Sequence, residues 1–268
     1  MSFSFGGVER SPNNAEREHF DIHRMVVKIG SNALTEGGTK ENPLNLDLIR
    51  DIAKQCSHLI RNGVQVVIVS SGAVACGRNL LSVEEHGPKD RQIEAAFGQP
   101  TVIGTWVTAF KEHGIVAGQA LITAQDLKAA SKVMKEALAF GALVVNINDV
   151  VSAEALQGNF GLTDNDSTAY IAALAIEADR VAMLTNEDGV LDENKNIVEN
   201  GSVADKLAHF GEISEKGTGG MATKVEIMQN LASRGIGGAI ARASRKDIIL
   251  EIARNTAKQC TLFEPKKF

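Results

Sequence analysis

The sequence predicts an α/β fold: a three-layer α/β/α sandwich around a mainly parallel central sheet. Short β-branched runs alternate with longer stretches of helical periodicity, so successive strands are joined by helices and pair in parallel. Runs such as Val-Gln-Val-Val-Ile-Val, 64–69, are apolar almost throughout, as strands covered on both faces are. With 268 residues, 44% of them hydrophobic, the chain can bury a sizeable core without disulfides or a structural metal.

Residues 1–23 mix Ser, Asn, Glu, Arg and Gly without sustained periodicity and read as an extension preceding the domain, which occupies 24–268. His19 and His23 within it have no third ligand in view and read as surface histidines. Met25–Ile29 is the first strand. Leu46, Ile49, Ile52, Ala53, Cys56, Leu59 and Ile60 then recur at the three- and four-residue spacing of one helix face. Further strands are expected at 64–69, 115–122, 143–147, 180–184 and 237–241. Helices are expected near 91–112, 125–140, 167–178, 222–233 and 245–254. Residues 192–215, with Gly201, Gly211 and scattered charges, read as a surface excursion.

Composition excludes several functions. With 28 basic and 33 acidic residues the formal net charge is −5, which gives no general attraction for nucleic acid or an anionic membrane. No apolar run approaches the roughly 18 residues of a membrane helix, and the N-terminal residues lack the pattern of a signal peptide. The three cysteines, Cys56, Cys76 and Cys260, are odd in number and far apart, which suits reduced thiols and a cytoplasmic protein.

In an open parallel sheet, ligands bind beyond the carboxyl ends of the strands, where loops lead into helix N-termini. The polar and glycine residues there are Lys28–Asn32, Ser70–Ala73, Asn146–Asp149, Thr163–Asp166, Thr185–Gly189 and Gly217–Lys224. The last places glycines and hydroxyls ahead of a helix with a lysine in its first turn, a pattern that offers backbone donors and a cation to phosphate. It is not a Walker A loop, because Thr223 rather than glycine precedes Lys224; a flexible turn is the competing reading. Lys28 stands near the end of an apolar strand, where an unpaired charge would cost on the order of several kcal/mol, so it calls for an anionic ligand or an acidic partner. The alternative is a lysine that snorkels from an edge strand. Asp149, Asp164 and Asp166 supply carboxylates in the same layer; Asp164 is equally explained as a helix N-cap, whereas Asp166 lies further in.

The series V-V-K-I-G-S, V-I-V-S-S-G-A-V, N-I-N-D-V, T-D-N-D-S, L-T-N-E-D-G-V-L and G-T-G-G-M-A-T-K, in this order from about Arg24 to Phe263, closely resembles the glutamate kinases of the amino acid kinase family. The resemblance implies the amino acid kinase fold, with an acceptor half over about 24–156 and a nucleotide half over about 157–268. It implies transfer of the γ-phosphoryl of ATP, with Mg²⁺, to the side-chain carboxylate of L-glutamate, the first step of proline synthesis. Lys28 and Lys224 would then surround the transferred group, with Asp166 positioning both. Ser71, Asp149 and Asn165 would hold the amino acid. Lys28, Thr185, Asn186 and the loop Thr218, Gly219, Gly220, Met221, Ala222, Thr223 and Lys224 would hold the nucleotide. It further implies a homo-oligomer and feedback inhibition by proline.

The residue chemistry agrees. A side-chain carboxylate with a reference pKa of about 4.3 is ionised at neutral pH, so no general base is required, and the reaction demands positioning and charge neutralisation. Asp149 suits an ammonium group, and Ser71 and Asn165 suit carboxylates. The chain departs from the family pattern at Ile147, where relatives carry an acidic residue, and at Asn186, where they carry aspartate; it also has no room for the C-terminal RNA-binding-like PUA domain of many relatives. Two other readings remain: a family member acting on acetylglutamate, aspartate, carbamate or a nucleoside monophosphate, and a catalytically silent binding protein on the same fold.

Overall fold

In the computed structural model, residues 18–39, 42–81, 88–123, 127–151, 165–207 and 220–266 are described. Seven strands form one sheet in the order β3-β4-β2-β1-β5-β6-β7: β1 (Arg24–Ile29), β2 (Gln65–Ser70), β3 (Ala117–Ile122), β4 (Ala142–Ile147), β5 (Arg180–Thr185), β6 (Gly237–Arg242) and β7 (Thr261–Phe263). All pairings are parallel except β6 with β7. The sheet therefore matches the expected class, with an antiparallel edge that periodicity had not announced, because three residues are too few to show alternation.

Side-chain alternation divides the core into two layers. Met25, Val27 and Ile29 of β1 face one side, where they meet Ile49, Ile52 and Leu59 of α2 (Leu46–Arg61), Trp106 and Phe110 of α4 (Pro88–Lys111), and Ile249 and Ile252 of α9 (Ile248–Ala253). Val26 and its neighbours Val67, Val145 and Met183 face the other side. There they meet Met134 of α5 (Leu127–Ala137), Ala169, Ala172 and Ala173 of α6 (Asn165–Ala175), and Val225 and Met228 of α8 (Met221–Ala232). Lys28 shares the parity of Val26, so it rises on the α6 side.

Three short or unpatterned helices were missed by periodicity. Ser31–Thr35 (α1) follows β1, Ala73–Leu81 (α3) follows β2, and Ala204–Leu207 (α7) lies in the excursion after β5. The third strand starts at Ala117 rather than Ile115, whose side chain is buried in the core. The last residues of the N-terminal extension pack on the domain. Phe20 and Ile22 are buried, and Glu18 binds Arg254 and His58, which hold its carboxylate down near a pKa of about 2. His19 lies beside Asp21, both exposed. Among the described residues, no helix is long and apolar enough to cross a membrane.

Candidate active site

The chain leaves β1 in one direction through β2 to β4 and β3, and later fills the other side with β5, β6 and β7. The order thus reverses at β1, and the crevice of an open α/β sheet lies outside the carboxyl ends of the strands at such a point. Lys28 stands there. It is 4% exposed, and a Cβ built on Gly30 would lie 3.8 Å from its Nζ, so the ammonium reaches the level of the strand end. The following Ser31 opens a helix whose N-cap is Gly30, and the Gly30 amide donates to the Leu184 carbonyl of β5 at 3.1 Å.

Asp166, in the first turn of α6 and 2% exposed, receives two cations at once. One carboxylate oxygen pairs with Lys28 Nζ; the other lies 2.9 Å from Lys224 Nζ in the first turn of α8. Burial alone would raise the Asp166 pKa, and the two lysines together hold it below the usual carboxylate value. Two helices and the central strand, far apart in sequence, therefore bring three charges to one place.

Beside this triad, Asn165 Nδ2 donates to Ser71 Oγ at 2.7 Å, and Asn165 Oδ1 is buried without a hydrogen-bond partner among the described residues. Ser71 follows β2 and is itself buried; Gly72 after it has φ +100°, which only glycine adopts without strain. Asp149 follows β4, the neighbour of β2, and is half-buried; loss of water raises its pKa to about 6. On the opposite side of β1, Thr185 ends β5, its hydroxyl accepting from the Glu187 amide and donating to the Glu187 carbonyl. Asn186 follows it, half-buried. Gly220 caps α8 without a side-chain hydrogen bond, and the amides of Met221, Ala222 and Thr223 lie in the first turn of that helix, which also carries Lys224. Thr218, Gly219 and Asp164 lie outside the described residues.

Sequence reasoning missed Arg242 and its pairing with Asp188, which belongs to the Thr185–Gly189 stretch. Arg242 pairs with Thr185 across β5 and β6, and its guanidinium binds Asp188 at 2.7 and 3.3 Å, which lowers the Asp188 pKa. No local pattern announces that pair, since 54 residues separate its members.

Residues 23–242 match the model of the amino acid kinase family. The chain belongs to that family. It is 33% identical over 273 residues to glutamate 5-kinase of Clostridium acetobutylicum, covering 95% of this chain and 99% of that protein. It is 35% identical over 262 residues to glutamate 5-kinase of Dehalococcoides mccartyi and 36% identical over 252 residues to that of Thermus thermophilus. Those matches cover 90% and 88% of this chain and 68% and 66% of the relatives. The two lysines, whose mutual repulsion Asp166 offsets, form a cationic pair at the carboxyl edge of the sheet.

Proposed function

We propose that the chain catalyses ATP-dependent phosphorylation of the side-chain carboxylate of L-glutamate, giving L-glutamyl 5-phosphate and ADP, the opening step of proline synthesis. The observation that carries this reading is the Lys28–Asp166–Lys224 triad at the carboxyl edge of β1. It lies between the acceptor-side residues Ser71, Asn165 and Asp149 and the nucleotide-side residues Thr185, Asn186 and Gly220–Lys224. The names of the relatives support the same activity.

An ionised glutamate side-chain oxygen attacks the γ-phosphorus, the bond from that phosphorus to the β–γ bridging oxygen breaks, and ADP leaves with the electron pair. No proton is transferred, which agrees with a site built from lysines and amides rather than a histidine base. Lys28 and Lys224 offset the charge on the transferred group, and the first-turn amides of α8 donate to the nucleotide phosphates. Asp166 keeps both ammonium groups converged before the substrates arrive. Among the described residues, no group of three or more His, Cys, Asp or Glu could hold a metal ion, and both Asp166 oxygens are engaged by lysines. Mg²⁺ bound with the nucleotide would neutralise charge on its phosphates.

Asp149 separates glutamate from acceptors that lack a free ammonium group. A half-buried carboxylate whose pKa is raised to about 6 by loss of water is stabilised by a cationic partner, which the free ammonium of glutamate supplies. The acetylated amine of acetylglutamate carries no charge, and a nucleoside monophosphate would set a phosphate against it. Proline is proposed as an inhibitor at the same pocket, with Ile147, half-buried at the end of β4, weakening its hold relative to an acidic residue. A homo-oligomer also belongs to this reading. Residues 95–110 of α4 include no charged side chain, and Phe97 (57% exposed) and Val107 (37%) lie on its open face, which complements a second copy of itself. A cytoplasmic location is supported by three free, buried cysteines.

The test is ADP release with hydroxylamine trapping of the acyl phosphate across glutamate, acetylglutamate, aspartate and uridine monophosphate. Glutamate is expected to yield the hydroxamate. Product from another acceptor alone would overturn the substrate assignment.

A further inference from the structure

The helix α4 carries two glutamines whose side chains leave the helix and end on the segment after β4. Gln92 Nε2 donates to the main-chain carbonyls of Asp149 and Val150, both at 3.2 Å. Gln99, seven residues further and on the same helix face, accepts from Asn146 Nδ2 at 2.8 Å, and Asn146 Oδ1 in turn accepts from the Ile147 amide at 2.9 Å. One helix thus grips both ends of the segment that presents Asp149.

That helix is fixed in turn to the other side of the acceptor pocket. A Cβ on Gly98 would lie 1.9 Å from the Ala73 carbonyl oxygen, and one on Gly77 would lie 1.6 Å from that of Glu94, so α3 and α4 cross in backbone contact. Arg78 of α3 closes the crossing with two 3.1 Å bonds to the fully buried Glu94. Helix α3 begins at Ala73, two residues after Ser71. The α3–α4 pair therefore carries Ser71 at one end and holds the Asp149 main chain at the other.

We propose that Gln92 is a positioning residue for the amino-acid pocket, holding the Asp149 main chain so that its carboxylate meets the substrate ammonium. The proposal rests on the role given to Asp149 above. A neutral amide suits the task. It satisfies two carbonyls without placing a cation beside Asp149, where a lysine or arginine would take the place of the substrate's ammonium. Gln99, 9% exposed, acts on the other end of the same segment through Asn146.

The test is a double-mutant cycle on kcat/KM for glutamate. Gln92→Met keeps the volume and removes both hydrogen bonds. It is expected to raise KM for glutamate about tenfold, as loss of two ordinary hydrogen bonds would, while KM for ATP stays within about twofold. In an Asp149→Ala background the same substitution should change kcat/KM by less than about twofold, because the group it positions is gone. Thermal melting is followed alongside, and Gln92→Asn, whose amide falls one methylene short, should show the same selectivity for glutamate over ATP. Equal rises in both KM values, or an undiminished effect in the Asp149→Ala background, would overturn the proposal and leave the role of Asp149 standing. If Asp149→Ala itself leaves glutamate KM unchanged, that role falls, and the proposal with it.

Discussion

Replacing Asp166 by asparagine keeps the shape of the side chain and removes the charge that two buried lysines share. The Lys224–Asp166 contact at 2.9 Å corresponds to an attraction of about 6 kcal/mol at an effective dielectric of about 20, most of which is offset by the cost of bringing the ions out of water. What the substitution exposes is that uncompensated cost. Lys224 sits in the first turn of a helix and is 12% exposed, so it can turn toward solvent; Lys28, at 5% within the central strand, has far less freedom. Losing one partner of a buried ion pair costs about 3–5 kcal/mol, and the mobility of Lys224 places the expected loss at the lower end, about 3 kcal/mol. For a domain of this size that is a fall of about 6–12 °C in Tm. Differential scanning calorimetry of wild type and Asp166→Asn, each with and without ATP and Mg²⁺, reads the effect. Nucleotide should narrow the gap, because its phosphates supply the missing anion. The sign with pH is also set: the folded Asp166 pKa is depressed, so its stabilisation is full above the unfolded value of 3.8 and is lost as pH falls through the folded value. The gap should therefore hold from about pH 5 upward and close in strong acid. A variant melting within about 2 °C of wild type, or a gap unaltered by nucleotide, would refute the role given to the triad.

Lys224→Ala and Lys28→Ala should each lower kcat by on the order of 10² or more in the hydroxamate assay, since a lost transition-state donor costs about 3 kcal/mol; near-normal turnover in either removes that lysine from the mechanism. Only the ionised form of Asp149 pairs with an ammonium, so KM for glutamate should rise as pH falls below about 6, and Asp149→Asn should abolish that acid limb while raising KM for glutamate far more than for ATP. Because the folded Asp149 pKa lies above its unfolded value of 3.8, its ionisation opposes folding as pH climbs through about 6, and Asp149→Asn should raise the Tm of the ligand-free protein at pH 7.5. Ile147→Glu should strengthen inhibition by proline; an unchanged proline titration would count against a role for that position.

How far the site can be read from the chain differs between its parts. Lys28 was conspicuous because a cation in an apolar strand breaks the pattern around it, and Gly217–Lys224 because glycines, hydroxyls and a lysine before a helix form a local signal. Asp166 stood out as a carboxylate inside the helix start rather than at its cap. Gln92 and Gln99 had no such signal: a glutamine on a helix is ordinary, and its partner lies 57 residues away for Gln92 and 47 for Gln99. The same holds for Arg242 with Asp188. Helix α3 carries no clear periodic signal because Gly77 and small residues replace the apolar stripe, and the reason is its backbone contact with α4.

The sequence by itself determined the α/β class, the six parallel strands and the loops that line the carboxyl edge, because hydrophobic period and glycine placement act over a few residues. The tertiary structure decided the strand order that reverses at β1, the convergence of Lys28, Lys224 and Asp166, the pairing of Asn165 with Ser71, and the short antiparallel β7. Those arise from sheet pairing and from the burial of charge. Both are satisfied only among residues distant in the chain, so no local pattern encodes which of many carboxylates will meet a given lysine.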